Sequence, residues 1–387
     1  MIGAGYRSRV KILFSSLGTF GHTYPVLPLV RAAVEAGHEV VYATTERVHP
    51  AIAASGAEPV TAGWDVRQAV AHQFGRPMRP QDLSLEEQER VSAISFGKVL
   101  PERFATDLAP LLERHKPDLV IREVLNLGAA LAAAKADVPA LCHGLGRMDA
   151  VDLGPALHAN VREVAAELGV EPAGEGLLLG NPLLDICPPA WQRDLGDAVR
   201  LPLRPVQHSD DVPMPEGVVG RAGKLIYLSL GTVFSDAPVL RGAIDGLAAL
   251  DARVVVSAGP LVDVDALGEL PANVSVHRWL PQGELLRHAD LSVHHGGMGT
   301  TIGSAVGGAV HLVLPQGADQ FGNAEAVVGS GLGRALVGAD ATVEAITGAA
   351  RELLVDGERR AAAEAMAAGI AAMPSPEDVV ADLGRHV

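Results

Sequence analysis

A strand–helix–strand pattern occurs twice in this chain, and it restricts the fold more than any other feature of the sequence. In the first half, Val10–Phe14 and Glu39–Ala43 are short apolar runs typical of buried strands, and Tyr24–Ala36 between them has helical spacing. In the second half, Lys224–Leu230 and Arg253–Ala258 repeat this arrangement around another helical segment. Each series is the opening of a doubly wound parallel sheet, so we expect an α/β fold.

Further elements continue both series. The first continues with helices at Leu108–Arg114 and Gly128–Lys135 and strands at Pro117–Ile121 and Val138–Cys142. The second continues with helices at Val239–Leu250, Glu284–His288, Thr300–Val306 and Glu358–Ala372, and strands at Val274–His277, Leu291–His294 and Val310–Pro315. A proline-rich stretch separates the series, which favours two Rossmann-like domains.

The predicted domain boundaries follow from this stretch. Residues 1–205 form the first domain, 206–222 a linker and 223–372 the second domain, and 373–387 form a C-terminal helix that packs back on the first domain. Paired domains of this kind face each other. Their ligands bind in the interdomain cleft, at the carboxyl ends of both sheets.

Charge and composition narrow the functional classes. The formal net charge is −15 and no block of Lys or Arg occurs, so a nucleic acid is not an expected partner. A phosphate on the ligand must then be bound locally, by backbone amides and helix N-termini. The chain has only two cysteines, no N-terminal signal and no long apolar run, which predicts a cytoplasmic protein without membrane contact. No set of side chains has metal-ligand spacing, so we expect no metal and no cofactor.

A glycine-rich turn, His295–Thr300, follows the strand Leu291–His294 and leads into a helix. Glycines allow the backbone to approach a ligand closely, and the helix N-terminus offers unpaired amides. His295 and Thr300 add side-chain donors at the same place. By itself this turn is weak evidence, because a tight turn without a ligand has the same composition.

The motifs W-x-P-Q, H-G-G-x-G-[ST] and D-Q-x-x-N occur in this order at Trp279–Gln282, His295–Thr300 and Asp319–Asn323. In this the chain resembles the glycosyltransferase family that includes plant and mammalian secondary-metabolite transferases and bacterial antibiotic transferases. The resemblance implies the GT-B fold and a nucleotide-sugar donor held by the second domain. The donor-binding residues that it implies are Thr232, Trp279, Leu280, Gln282, His295, Gly296, Gly297, Gly299, Thr300, Asp319 and Gln320.

The resemblance also implies a role for each motif. Trp279 stacks on the pyrimidine base while the backbone beside it reads the base edge, the glycine turn holds the diphosphate, and Asp319 and Gln320 bond the sugar hydroxyls. Thr232, in a loop that resembles the family's S-x-G-T, adds a phosphate contact. Plainer alternatives stay open: a core aromatic for Trp279, an ordinary turn for Asp319–Gln320 and a helix cap for Thr232.

One departure from the family pattern concerns the donor. Many relatives that use ribonucleotides carry a Glu in the helix after the glycine turn, where it grips the ribose hydroxyls, whereas Thr301–Val306 reads TIGSAV here. A missing acidic acceptor matters little when the sugar of the nucleotide lacks its 2′-hydroxyl. We therefore expect a dTDP-sugar donor, with UDP-sugars weaker.

Gly21-His22-Thr23-Tyr24-Pro25 matches the family's G-H-x-x-P motif after the first strand, and the resemblance makes His22 the base that deprotonates the acceptor hydroxyl. A base of this kind needs a carboxylate to orient it, and Glu123 ends the strand that begins Pro117-Asp118-Leu119-Val120. The alternatives are a capping or packing role for His22 and a solvated surface charge near Arg122 for Glu123. Inverting transfer then proceeds without a metal.

Longer segments such as Phe14–Pro25 and Gly180–Pro189 resemble the calicheamicin-type enediyne glycosyltransferases. This implies transfer of a deoxy- or aminodeoxysugar to an enediyne or similar polyketide aglycone in antibiotic biosynthesis. We expect the acceptor pocket in the first domain, lined by Trp64, Phe74, Met78 and Phe96, although core or lid packing explains each of these residues equally well.

Two alternative functions of the chain require different site residues. A sugar-nucleotide epimerase or hydrolase has the same architecture but needs carboxylates that are not recognisable here. A catalytically idle helper keeps the fold but not the site, whereas His22, His295 and Asp319 are all intact. The expected partners are a small-molecule aglycone and a nucleotide sugar, and the sequence leaves monomer and homodimer open.

Overall fold

The computed structural model describes residues 9–78, 83–152, 154–208, 212–231, 237–259 and 262–387, and the chain forms two compact units. One unit contains the described residues up to Ile186, together with Asp194–Arg204 and Met373–Val387. The other contains Cys187–Arg193 and Pro205–Ala372.

The first sheet is parallel throughout, with seven strands in the order β3-β2-β1-β4-β5-β6-β7. Its strands are β1 (Lys11–Ser15), β2 (Glu39–Thr44), β3 (Glu58–Thr61), β4 (Leu119–Glu123), β5 (Ala140–His143), β6 (Leu183–Asp185) and β7 (Arg200–Pro202). The helices of this unit are α1 (Phe20–Thr23), α2 (Leu27–Glu35), α3 (His49–Ala54), α4 (Val66–Phe74), α5 (Leu85–Ile94), α6 (Leu100–His115), α7 (Leu127–Lys135), α8 (Met148–Val151) and α9 (Pro155–Leu168). All five residues of β4 are buried, as expected where helices cover both faces of a parallel sheet.

The second sheet is also parallel throughout, with six strands in the order β10-β9-β8-β11-β12-β13, which is the Rossmann order. Its strands are β8 (Lys224–Ser229), β9 (Ala252–Ser257), β10 (Val274–His277), β11 (Leu291–His294), β12 (Val310–Val313) and β13 (Gly333–Ala335). The helices of this unit are α10 (Ala237–Ala248), α11 (Gln282–Leu286), α12 (Met298–Gly307), α13 (Gln320–Gly329), α14 (Val343–Val355) and α15 (Gly357–Ala371). The prediction of an α/β protein with two Rossmann-like parallel sheets is confirmed.

The C-terminal segment returns to the first unit. Helix α16 (Pro376–Asp382) begins with a capping box, in which the Ser375 hydroxyl accepts from the Asp378 amide at 3.2 Å. It packs against α2, and the Pro374 carbonyl accepts a bond of 2.7 Å from the Arg204 amide.

The first unit is not contiguous up to residue 205, in contrast to the predicted domain 1–205. The segment Cys187–Arg193 belongs to the second unit, where the indole N–H of Trp191 donates to the Ser330 hydroxyl at 3.0 Å. Trp191 and Ser330 are 139 residues apart in sequence, a separation that local sequence patterns do not report.

Helix bounds differ from the prediction where prolines occur. The predicted helix Tyr24–Ala36 begins three residues before α2, which starts at Leu27, and the separate short helix α1 ends at Thr23, before the predicted start. The predicted helix Leu108–Arg114 is only the last part of α6, which continues through Pro110. The predicted segment already contained Pro110, which α6 accommodates although proline normally interrupts a helix.

Candidate functional site

The carboxyl ends of the adjacent strands β1 and β4 bring His22 and Glu123 together. The Nδ1 atom of His22 lies 3.1 Å from Oε2 of Glu123. The carboxylate is completely buried, while 18% of the His22 side chain stays accessible. With Nδ1 directed at Glu123, Nε2 lies on the opposite side of the ring from the carboxylate.

Backbone amides support the Glu123 carboxylate. Oε1 accepts from the Leu125 amide at 2.7 Å, and Oε2 faces the Leu17 amide at 3.5 Å. These donors stabilise the negative charge in a buried place, as hydrogen bonds to an ionised carboxylate do. The alternative that Glu123 is a solvated surface charge is therefore wrong.

Arg122 does not pair with Glu123. Its guanidinium bonds to carbonyl oxygens of Val124, Leu177 and Leu178 at 2.7–2.9 Å, and its Nε donates to the Asn181 side chain at 3.0 Å. Successive side chains on a strand point to opposite faces, which separates Arg122 from its neighbour in sequence. The charge of Glu123 is thus left to His22 and the backbone amides.

A buried chain of hydroxyl groups fixes the loop that carries His22. The Tyr42 hydroxyl donates to Ser16 Oγ at 2.9 Å, Ser16 and Thr23 hydroxyls are 2.9 Å apart, and Thr23 Oγ1 donates to the Leu17 carbonyl at 3.2 Å. Burial raises the pKa of Tyr42 well above its usual value, so it stays a donor. Sequence reasoning did not identify these residues, because their contacts depend on strand register.

His143 stands beside Glu123 in the sheet register, one strand further along. It is completely buried, and burial lowers its pKa to about 4. A neutral, enclosed imidazole does not compete with His22 for the role of base. It forms part of the wall behind the carboxylate.

In the second unit, the glycine turn lies between β11 and α12, and the imidazole of His295 occupies its centre. A Cβ atom on Gly231 would lie 2.6 Å from Nε2 of His295, and a Cβ on Gly297 would lie 2.3 Å from it. Both positions therefore require glycine. Burial lowers the pKa of His295 to about 4, although a hydrogen bond with the Ser229 backbone acts to raise it. At neutral pH the ring is uncharged and offers one N–H.

The side chain of Gln282, the last residue of the W-x-P-Q motif, lies beside Thr300 of the glycine turn. Its Oε1 accepts from the buried Tyr227 hydroxyl at 2.8 Å and faces the Thr300 hydroxyl at 3.4 Å. Trp279 is half-buried and Leu280 is buried at the start of this segment. The structure thus joins the two sequence motifs around Gln282, whose side chain the sequence analysis did not single out.

The D-Q-x-x-N motif lies at the start of α13. Gln320 is buried, and its Oε1 accepts from the amides of Gln316 and Gly317 at 2.7 and 3.2 Å, so its Nε2 group is the part that remains for a ligand. Asp319 is half-buried, and its Oδ2 accepts from the Asn323 side chain at 2.9 Å. Gly299 is exposed at the N-terminus of α12, and Thr232 lies outside the described residues.

The residues predicted to line an acceptor pocket lie in the first unit. Trp64 and Phe96 are partly buried and pack against its hydrophobic core. The Arg103 guanidinium lies 5.1 Å from the Trp64 ring centre, and that of Arg90 lies 6.0 Å from the Phe74 ring centre. Met78 is half-buried at the end of its described segment. Packing accounts for the contacts of Trp64 and Phe96, and these contacts do not identify a ligand.

Two further properties apply only to the described residues. Among them, no group of three or more His, Cys, Asp and Glu side chains is arranged to hold a metal ion. None of the helices in the same residues is both long and apolar enough to cross a bilayer.

Two Rossmann-like sheets with these motifs at their strand ends are the architecture of nucleotide-sugar-dependent glycosyltransferases. Family models for the erythromycin biosynthesis protein CIII-like N-terminal and C-terminal domains match residues 31–209 and 241–385. The chain belongs to this family, and it is a glycosyltransferase of the natural-product type. The resemblance inferred from the motifs is confirmed at this level.

Individual relatives agree with this assignment. The chain is 32% identical to L-demethylnoviosyl transferase of Streptomyces niveus, over 97% of this chain and 98% of the relative. It is 28% identical to oleandomycin glycosyltransferase of Streptomyces antibioticus, over 90% and 84%. The solved structure of the glycosyltransferase VinC in complex with dTDP has a TM-score of 0.79 at 24% identity, over 98% and 99%, which is a likeness of fold.

Proposed function

We propose that this enzyme transfers a deoxysugar, with inversion, from a dTDP-sugar to a hydroxyl group of a hydrophobic natural-product aglycone. The observation that carries the proposal is the His22–Glu123 pair, with 3.1 Å between Nδ1 and Oε2 and with the carboxylate fully buried. A histidine that is held by a buried carboxylate and keeps part of its ring accessible is suited to remove a proton from an acceptor.

The reaction balances around this pair. The acceptor oxygen attacks the anomeric carbon while Nε2 of His22 takes the hydroxyl proton, and the bond from that carbon to the diphosphate oxygen breaks. Glu123 stabilises the imidazolium that forms, and dTDP leaves with the bonding electron pair. General-base assistance of this type contributes about 10²–10⁴ in rate.

The leaving diphosphate is to be stabilised by the glycine turn. The N-terminus of α12 supplies unpaired amides and the positive end of a helix dipole, and His295 and Thr300 add donors beside it. In this proposal the nucleotide sugar is the only co-substrate and no metal is required. The Nε2 group of Gln320 and the carboxylate of Asp319 are the groups proposed to bond the sugar hydroxyls.

Two observations favour a deoxynucleotide. Helix α12 reads MGTTIGSAVG and carries no acidic side chain that would bond a 2′-hydroxyl. In addition, the structurally similar VinC was solved with dTDP. For the acceptor, the named relatives act in antibiotic pathways, and an enediyne or similar polyketide aglycone is our finer proposal.

The test is a turnover assay with purified protein, a panel of dTDP- and UDP-sugars and a panel of polyketide acceptors. We expect release of dTDP together with a glycosylated product of inverted configuration. Release of dTDP without a glycosylated product indicates a hydrolase, and no release with any pair indicates a helper protein. Faster turnover with UDP-sugars contradicts the donor proposal alone.

A further inference from the structure

Buried side chains hold the peptide groups on both sides of Gly296. Its amide donates to Nδ1 of His294 at 3.1 Å, and its carbonyl accepts from Nδ2 of Asn323 at 2.8 Å. His294 and Asn323 are both buried, at 0% and 1% exposure. Gly296 has a φ of +93°, and a Cβ on it would lie 2.9 Å from the Gln320 carbonyl oxygen. These contacts therefore fix the backbone conformation of the turn at Gly296.

A second histidine supports the first. Nε2 of His294 lies 3.0 Å from Nδ1 of His311, on the neighbouring strand β12. Since Nδ1 of His294 accepts from the Gly296 amide, the His294 proton is on Nε2, which donates to His311. Burial lowers the pKa of both rings, to about 3 for His311, so this order of donors persists at neutral pH.

We propose that His294, His311 and Asn323 are positioning residues that hold the Gly296 peptide in the one geometry that binds the donor diphosphate. The inference rests on the donor site proposed above. Gly296 stands between His295 and Gly297, and the His295 ring already lies within 2.3 Å of the place a Cβ on Gly297 would take. Rotation of the Gly296 peptide therefore displaces the imidazole and the first amides of α12 together.

The three residues lie on separate elements, and His311 acts on the turn through His294. His294 ends β11, His311 lies within β12 and Asn323 lies on α13, so two strands and a helix together position Gly296. Asn323 uses its Nδ2 group twice, because it also donates to Asp319 Oδ2 at 2.9 Å. It thereby links the diphosphate turn to the proposed sugar-binding carboxylate.

The chain offers a matched control in Ser292. It lies two residues before His294 on β11, is equally buried, and receives a bond of 2.7 Å from the Ser304 hydroxyl on α12. Ser292→Ala thus removes a buried contact between the same strand and the following helix. It leaves the bonds to Gly296 in place.

The experiment compares two substitutions at one position. In His294→Asn, the side-chain oxygen stands where Nδ1 was and still accepts from Gly296, whereas in His294→Gln the polar group moves towards His311 and that acceptor is lost. We expect TDP affinity about tenfold weaker than wild type for His294→Gln, as for one lost buried bond, and between these two values for His294→Asn, which keeps the bond to Gly296 but loses the contact with His311. Calorimetric titration of TDP, with Ser292→Ala alongside, measures this. Asn323→Ala tests the other side of the peptide.

Residue-resolved hydrogen exchange on the free proteins gives a second readout. The Gly296 amide should exchange faster in His294→Gln than in His294→Asn or Ser292→Ala. Equal TDP affinity for the two His294 variants, or an equal loss in Ser292→Ala, overturns the proposal. If the wild-type protein binds no TDP, the proposed donor site fails, and the exchange of Gly296 still decides whether His294 holds the turn.

Discussion

Gln207 occupies the space that a side chain at Gly303 would need. A Cβ on Gly303 would lie 2.8 Å from Oε1 of Gln207 and 3.0 Å from Cδ1 of Leu286. Gly303 is in the interior of α12, where glycine normally lowers helix stability. The segment that precedes the second sheet therefore packs directly on the helix of the proposed diphosphate site.

This contact gives the first expected outcome. Gly303→Ala should be less destabilising, by about 1 kcal/mol of unfolding free energy, in a Gln207→Ala background than in the wild type, because the nearer obstacle is removed while Leu286 stays in place. In the wild-type background the side-chain amide of Gln207 has to move as well. A double-mutant cycle from denaturant unfolding measures this coupling, and simple additivity of the two substitutions contradicts the contact.

The His22–Glu123 pair leads to an expectation about turnover. His22→Ala should lower kcat by about 10²–10⁴ and leave TDP affinity unchanged, since the general base is lost and the donor site is in the other unit. Glu123→Gln should lower kcat as well, because a neutral amide does not stabilise the imidazolium. Steady-state kinetics with a saturating donor, beside TDP calorimetry, separate the two effects. A wild-type kcat for His22→Ala removes this residue from the mechanism.

The two-sheet fold could be predicted because its signals are local. Short apolar runs, helical spacing and glycine turns repeat along the chain, and parallel strands impose them directly. Helices α4 and α5 were not predicted, since their apolar periodicity is weak: VRQAVAHQF mixes apolar and polar residues, and LEEQERVSAI is mostly polar. They are defined instead by the capping boxes at Asp65 and Ser84, which are signals that the sequence does contain.

The candidate site was predictable only in part. His22, Glu123 and His295 come at strand ends, where side chains of parallel sheets gather, so their positions follow from the pattern. The supporting residues Tyr42 and His311 act across the sheet, at contacts 26 and 17 residues apart in sequence. Such contacts depend on strand register and helix rotation, which a single sequence does not report.

Substitutions at Gly297 and Gly299 test the placement of the His295 imidazole, because only Gly297 lies against it. A Cβ on Gly297 would lie 2.3 Å from Nε2 of His295, whereas a Cβ on Gly299 meets nothing within 4 Å. Gly297 has φ −60° and ψ 140°, which alanine adopts freely, so its substitution acts through the contact and not through the backbone. Gly297→Ala should thus lower the unfolding free energy by about 1–3 kcal/mol, and Gly299→Ala should not lower it. Denaturant midpoints measure this difference, and equal midpoints contradict the placement of the imidazole.

The buried histidines of the second unit predict sensitivity to acid. Burial holds the pKa of His295 at about 4 and that of His311 at about 3, whereas both are near 6.5 in the unfolded chain. Between pH 6.5 and these lower pKa values the unfolded state binds more protons, so the stability that these two histidines contribute is fully present above pH 6.5 and is lost as the pH decreases towards 4.

The contribution of His311 to this acid sensitivity can be measured separately from that of His295. Replacing it by leucine removes one of the protons taken up on unfolding, so the acid slope of the unfolding free energy should decrease by up to about 1.4 kcal/mol per pH unit. Denaturant unfolding at several pH values between 7 and 4 measures the slope, and substitution of the half-buried His386 near the C-terminus serves as the control. An unchanged slope for the leucine variant means that His311 already binds its proton in the folded protein, which contradicts the proton order between His294 and His311.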